Sequence, residues 1–400
     1  MATGIFPPDI GGPATHAADL ARTLRARGHQ VVVLSLTDGE RTGPDAEVVL
    51  LPRRWPWPVR TAAAARWLVR HRHRYDVVYA TGLDLPAVGG ARLARRPVVL
   101  KVPGDPAWER GRRHGLTAAD FDEFQDARGG PVRLRAMRGV RNWAVRNATA
   151  VVVPSRYLEG VVERWCGGRT PVTVVQNGVR EPDPTSAGAH PGGPATQGLR
   201  LVYVGRLVAH KRIEILLEAL ALVDASVTLD IVGTGPEMDA LHARCDGLGL
   251  GPRVRFVGNL EHDEVMAGLV AADALVSATS YEGLPHVVIE ALVCGTPVVT
   301  TPAGGVIEVI SEGVNGRLVA DADPVAFAAV FDELLHDAGQ RGRLAAGAAE
   351  SGRAWGFERC ATQVETLLSG LLLSVESGPS SGGPSSGGTA VAGKNQGIGR

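Results

Sequence analysis

Four hundred residues exceed the size at which a single core stops growing, so the length predicts two domains. With 44% hydrophobic and 21% charged residues the chain can fill both cores, and 42 basic side chains balance 42 acidic ones, so no overall charge recruits nucleic acid. Cys166, Cys245, Cys294 and Cys360 stand far apart, without a CxxC or Cys/His cluster, which argues against zinc or redox chemistry and suits buried thiols in a reducing compartment. MATGIFPPDIGG has no signal-peptide pattern, and no apolar run approaches the length of a membrane span, so a cytoplasmic protein is expected.

Along the chain, short β-branched runs alternate with amphipathic stretches. The expected strands are 31–36, 76–82, 97–102, 149–155 and 172–178 in the first half, then 199–205, 227–233, 254–258, 273–279 and 297–304 in the second. Buried runs of this kind between helices predict parallel α/β sheets covered on both faces. The first strand looks clipped, since only MATGIF precedes PPDIGG, as in a chain that starts later than its natural gene product or that has a short strand. Residues 181–198 are dense in Pro, Gly and Ala and read as a linker between a domain at 1–180 and another at 199–373, whose last helix can cross back to the first. The tail at 374–400, with PSSGG twice, lacks the apolar content to fold.

GIFPPDIGGPATHAADLARTLRARGH (4–29) reads as strand, glycine loop and helix, with the helix starting near Pro13 and Gly28 at its end. Gly11 and Gly12 let backbone approach a ligand at that helix mouth, although an ordinary βα turn has the same pattern. LVYVGRLVAHKR (201–212) ends a strand and then presents Arg206 and Lys211 at the strand's carboxyl end, where open α/β sheets bind ligands. Two cations of unlike donor geometry suit a diphosphate. GTGPEM (233–238) carries Gly233 and Gly235, two of the three glycines of a dinucleotide fingerprint, but no acidic ribose reader follows at the required distance, so an oxidoreductase is disfavoured, while a phosphate or nucleotide loop and a plain turn both stay open.

YEGLPHVVIEAL (281–292) places Glu282 and Glu290 eight residues apart around Gly283, Leu284 and Pro285. A helix starting near Pro285 leaves Glu282 in the loop and puts Glu290 on the second turn. The unpaired N–H groups of that helix mouth offer an anion site between the two carboxylates.

Taken in order, Gly205-Arg206-Leu207 with Lys211, Gly233-Thr234-Gly235-Pro236, Glu282-Gly283-Leu284-Pro285 with Glu290, and 301–305 with Glu308 resemble the retaining glycosyltransferase family 4, over roughly residues 1–370. That resemblance implies a GT-B fold, two Rossmann-like doubly wound domains facing a cleft, and a nucleoside-diphosphate sugar as donor. It implies no required cofactor or metal, because cations stabilise the leaving nucleotide. By the same resemblance Arg206 and Lys211 bind the diphosphate, Glu290 the ribose hydroxyls and Glu282 the transferred sugar. Gly283, Leu284 and Pro285 line the pocket, Gly11 and Gly12 lie near the phosphate, and Asn177-Gly178-Val179 shapes the hinge.

One departure stands out. Where many members place a histidine at a strand end, this chain has Pro103, Gly104 and Asp105. Asp105 is therefore a candidate sugar or acceptor contact, with Lys101, Trp108 and Glu109 nearby, or the three residues simply make a turn. His16, His114, His210 and His286 also lie near motifs without marking a base. LPRRWPWPVRTAAAARWLVRHRHR (51–74) is either a peripheral contact with an anionic membrane, through 53–74, or a buried helical face with its arginines in water. The activity expected is transfer of a sugar to a glycan, lipid-linked or small-molecule acceptor in cell-envelope or exopolysaccharide synthesis. A non-catalytic nucleotide-sugar-binding protein and a GT-B epimerase or phosphorylase are the alternatives.

Overall fold

A computed structural model describes residues 1–7, 9, 11–37, 47–180, 198–320 and 322–376. Nearly all of the linker expected at 181–198 and the tail beyond 376 lie outside the described residues.

The β-branched runs form two separate sheets in which every pair of neighbouring strands is parallel. The first contains β1 (Ala2–Thr3), β2 (Val32–Thr37), β3 (Glu47–Pro52), β4 (Val78–Thr81), β5 (Val98–Lys101), β6 (Ala150–Val153) and β7 (Val172–Val174), in the order 3-2-1-4-5-6-7. The second contains β8 (Leu199–Val204), β9 (Val227–Val232), β10 (Val254–Gly258), β11 (Ala274–Ser277), β12 (Val298–Thr300) and β13 (Gly316–Leu318), in the order 10-9-8-11-12-13. Both orders reverse beside the first strand of the sheet, as in Rossmann-like domains. β3 and β13 are additions to the expected strands. Both lie at a sheet edge, where burial is incomplete and the apolar signal correspondingly weak. β1 is two residues long yet central, held by β2 on one side and β4 on the other.

The helices α1 (Gly12–Ala26), α2 (Trp57–Arg70), α3 (Asp84–Ala94), α4 (Pro106–Arg113), α5 (Phe121–Asp126), α6 (Val132–Asn147) and α7 (Arg156–Cys166) accompany the first sheet. α8 (Ile213–Ala221), α9 (Met238–Gly247), α10 (His262–Ala271), α11 (His286–Val293), α12 (Pro324–His336) and α13 (Ala338–Gly352) accompany the second, and α14 (Phe357–Glu376) follows. Side-chain oxygens accept from first-turn N–H groups where helices start at Asp105, Ser155 and Asp323. α14 returns to the first domain, where Cys360, Ala361 and Val364 pack with Leu20, Leu24, Tyr79 and Val99. Arg27 reaches both Glu358 and Glu365 on it, each at 2.6 Å. The outward crossing runs beside the return: Val179 bridges to Gly356, and a Cβ on Gly178 would lie 2.8 Å from Phe357 Cα.

In the 51–74 stretch the prolines start α2, with Pro56 at the cap. Ala64 and Leu68 turn inward, while Trp55, Trp57 and Val59 at the helix start are 38%, 46% and 50% exposed. The buried-face reading thus holds for the body of the helix and an exposed aromatic rim for its start. No helix among the described residues is long and apolar enough to cross a membrane.

Candidate active site

In a parallel α/β sheet every strand-to-helix loop leaves at the carboxyl edge, and here those edges of the two sheets face each other. From the first come Gly11 and Gly12 after β1, 102–105 after β5, Ser155 after β6 and Asn177 after β7. From the second come Arg206 after β8, the 233–237 loop after β9 and 278–285 after β11. β8 and β11 are the neighbours at which strand order reverses, so Arg206 and Glu282 flank the crevice in which such folds bind ligands.

The two glycine mouths meet across the interface. α1 begins at Gly12 after Gly11, whose φ is +138°, and no side chain caps it. α11 begins at His286 after Pro285 and is likewise uncapped by a side chain. A Cβ on Gly12 would lie 3.3 Å from the His286 side chain. Two helix N-termini, each with unpaired N–H groups and a positive dipole end, thus converge on one place.

Lys211, on a short 3-10 turn, forms an ion pair with Glu282, and both are 15% exposed. Arg206 is open to solvent and stands 3.5 Å from Glu109 of the first domain. Glu290 is 7% exposed, and His262 Nδ1 lies 3.8 Å from its Oε1. Burial raises the Glu290 carboxyl above its ordinary range, with His262 opposing. The site residues Glu282, Lys211, Pro285 and Arg206 are therefore assembled around the α11 mouth, with Glu290 one turn deeper.

Other candidates take structural parts. Gly233 and Gly235 are packed against backbone: a Cβ would lie 2.0 Å from Gly205 O in the first case and 2.1 Å from Leu207 O in the second. Their lack of a side chain lets the 233–237 loop lie on the 205–207 loop that carries Arg206. Gly283 is similar, its would-be Cβ 2.3 Å from Pro103 O.

Asp105 is corrected outright. It is fully buried; Oδ1 accepts from the N–H of Ala107 at 2.8 Å, and Oδ2 accepts from Gln125 at 2.9 Å and pairs with Arg141. Every oxygen is committed, so Pro103-Gly104-Asp105 is a helix-starting turn and not a sugar contact.

Further contacts join the two domains at the interface, among them one from Ser155, which left no local signal in the sequence. Ser155 donates from Oγ to Gly283 O at 2.6 Å, and Asn177 from Nδ2 to Leu284 O at 3.1 Å. Asn177 is itself held by buried Lys101 at 2.8 Å, which also reaches His16 at 2.8 Å. Burial lowers the Lys101 ammonium to about 8 and pushes His16 well below its usual value, the Lys101 charge adding to it. The Glu308 carboxylate accepts from the N–H groups of Arg156 and Tyr157, at 3.0 and 2.8 Å, capping α7 from the other domain. A cavity of about 330 Å³, lined by Val31, Val78, Tyr79 and Leu368, lies at the opposite edge of the first sheet. No group of three His, Cys, Asp or Glu side chains suited to a metal ion occurs among the described residues.

Two doubly wound domains with apposed carboxyl edges and a cationic crevice between them define the GT-B class of fold. Residues 10–181 match the family described as Glycosyltransferase Family 4, and residues 191–351 match Glycosyl transferases group 1. The chain is 29% identical to a Mycobacterium tuberculosis protein named glycogen synthase, over 84% of this chain and 86% of that one. It is 28% identical to the D-inositol 3-phosphate glycosyltransferase of Xylanimonas cellulosilytica, over 88% and 90%. Among solved structures, sucrose-phosphate synthase of Thermosynechococcus elongatus superposes with a TM-score of 0.76 at 21% identity, covering 93% of this chain and 99% of that one. Anabaena HepE, solved in complex with UDP and glucose, superposes at 0.72 and 22% identity, covering 92% and 100%. The chain belongs to glycosyltransferase family 4.

Asp105→Asn is expected to leave Arg141 buried without a counter-charge and to lower stability by about 3 kcal/mol. Denaturant titration measures this, and nucleotide affinity per folded molecule should stay the same. For Glu290, a carboxyl raised on folding contributes stability below its unfolded pKa and loses it as pH rises through the folded value. Glu290→Gln should therefore melt no lower than wild type at neutral pH in the unliganded protein, with any advantage disappearing toward pH 4, as a melting series across pH would record.

Proposed function

We propose that this protein is a retaining glycosyltransferase that transfers a sugar from a nucleoside-diphosphate sugar to an acceptor held by the first domain. The observation that carries the reading is the convergence of Arg206, Lys211 and two uncapped helix mouths on one crevice beside Glu282 and Glu290. The diphosphate would sit at the α11 mouth, where backbone N–H groups and two cations offset the charge that grows on the leaving nucleotide. Lys211 would exchange part of its contact with Glu282 for phosphate oxygen, freeing that carboxylate to accept from sugar hydroxyls. Glu290, one turn deeper, would accept from the ribose hydroxyls. Retention would follow front-face attack, the departing phosphate taking the acceptor proton and Glu282 holding the sugar in place. That HepE binds UDP and glucose supports a nucleotide-sugar of this type.

The acceptor side carries its own charge signature. Residues 1–180 contain 28 Lys and Arg against 16 Asp and Glu, a net +12, whereas residues 181–400 contain 14 against 26, a net −12. The overall neutrality hides a dipolar molecule. The exposed Trp55, Trp57 and Val59 follow Arg53, which donates to the carbonyls of Gly4 and Leu36 beside the loop leading to Gly11. An aromatic rim on a basic domain at the mouth of the crevice fits a lipid-linked acceptor at an anionic bilayer face, in cell-envelope or exopolysaccharide synthesis by a cytoplasmic enzyme.

Arg206→Ala combined with Lys211→Ala should lower turnover per folded molecule at least a hundredfold, as nucleotide release from a panel of sugar nucleotides would report, while any fall in melting temperature comes from the loss of Lys211 beside the mostly buried Glu282 and not from the solvated Arg206. Wild-type turnover in that variant would exclude the diphosphate assignment. Trp55→Ala combined with Trp57→Ala should reduce co-sedimentation with phosphatidylglycerol vesicles severalfold; equal sedimentation of wild type with phosphatidylcholine and phosphatidylglycerol vesicles would refute the membrane contact.

A further inference from the structure

Tyr281 immediately precedes Glu282 in the second domain, yet its ring is part of the hydrophobic core of the first. It stacks on Phe121 with centroids 3.7 Å apart and planes 11° from parallel, and meets Trp108 edge-on at 5.2 Å. Tyr157 closes the box at 6.4 Å. The box comes from α4, α5 and α7 of the first domain. A second ring enters it from the other domain: His210, which immediately precedes Lys211, lies 5.3 Å from Trp108. Each member of the Lys211–Glu282 pair is thus preceded by a ring lodged across the domain interface.

The Tyr281 hydroxyl is buried and has no hydrogen-bond partner. It faces Gly104, where a Cβ would stand 3.3 Å from both that hydroxyl and Glu109 Oε1. The ring and the hydroxyl therefore fill the position after β5 that the sequence leaves without a bulky side chain. A buried hydroxyl without a partner costs stability, so what keeps Tyr281 in place is its ring.

We propose that Tyr281 is a positioning residue: its ring docks in the Trp108–Phe121–Tyr157 box and so couples closure of the two domains to the placement of Glu282 and Lys211. The inference rests on the donor-site reading given above. It predicts that the loop carrying Glu282 takes its working shape only when the domains are together, since the next carbonyls, Gly283 and Leu284, are also held by first-domain side chains. A misplacement of about 1 Å at such a carboxylate can cost on the order of a hundredfold in rate.

The test compares Tyr281→Phe, Tyr281→Ala, Phe121→Ala and the Tyr281→Ala/Phe121→Ala double variant, each checked for folding by its melting curve. Tyr281→Phe should keep at least half of wild-type nucleotide release from UDP-glucose. The two alanine variants should each lose tenfold or more in kcat while UDP affinity by calorimetry changes less than about threefold, and the double variant should be no worse than either single one. Small-angle scattering of the unliganded proteins should show a larger radius of gyration for Tyr281→Ala than for Tyr281→Phe. Wild-type kcat in folded Tyr281→Ala, or an equal loss in Tyr281→Phe, would overturn the proposal, the latter by making the hydroxyl the working group. If wild-type protein neither binds UDP nor turns over UDP-glucose, it is the choice of nucleotide that fails. Scattering then still decides the anchor: unchanged compactness in Tyr281→Ala overturns it.

Discussion

Two buried hydrogen bonds across the domain interface, from Ser155 to the Gly283 carbonyl and from Asn177 to the Leu284 carbonyl, are the contacts on which the arrangement of this protein depends. Backbone carbonyls taken from water must find donors or cost several kcal/mol each. Here the donors belong to the opposite domain, so the loop between Glu282 and α11 has no satisfied conformation of this form in its own domain alone. The helix mouth, the carboxylate before it and the cation paired with that carboxylate all inherit their positions from this arrangement.

Charge is distributed to match. The pair Asp105 and Arg141, which holds a helix start in place, is buried with both carboxylate oxygens taken. Groups that would meet a ligand keep capacity in reserve. Arg206 is largely solvated, Lys211 is paired with Glu282, and Glu290 is buried with His262 at 3.8 Å. Burial of a carboxyl disfavours its charged form, and groups perturbed in this way are concentrated at clefts that receive ligands.

Much of the fold was legible. β-branched runs such as 31–36 and 149–155 marked the strands because, in a parallel sheet, both faces are covered and the apolar signal is continuous. The start of α11 at the Gly-Leu-Pro break followed from the dihedral limits of proline. That Arg206, Lys211 and Glu282 would lie at the carboxyl edge of one sheet, with Glu290 a turn into α11, was legible because strand ends and helix starts fix those positions. β13 was missed because Gly316-Arg317-Leu318 is too short for any periodicity to appear. The sequence left Asp105 open between a ligand contact and a turn because Pro-Gly-Asp has one local appearance whether its carboxylate faces a cleft or caps a buried helix.

By itself the sequence determined what depends on neighbours within a few residues: strand and helix periods, the glycine and proline breaks, and the order of charged residues at strand ends. Only the tertiary structure decided which loops confront each other. Tyr281 belongs to the core of a domain whose residues lie more than a hundred positions away, and the glycines at 233 and 235 are small because other backbone lies on them. Burial and contact partners are properties of the whole folded chain. No local pattern records them, because the free energy that selects them comes from surfaces that meet only after both domains have formed.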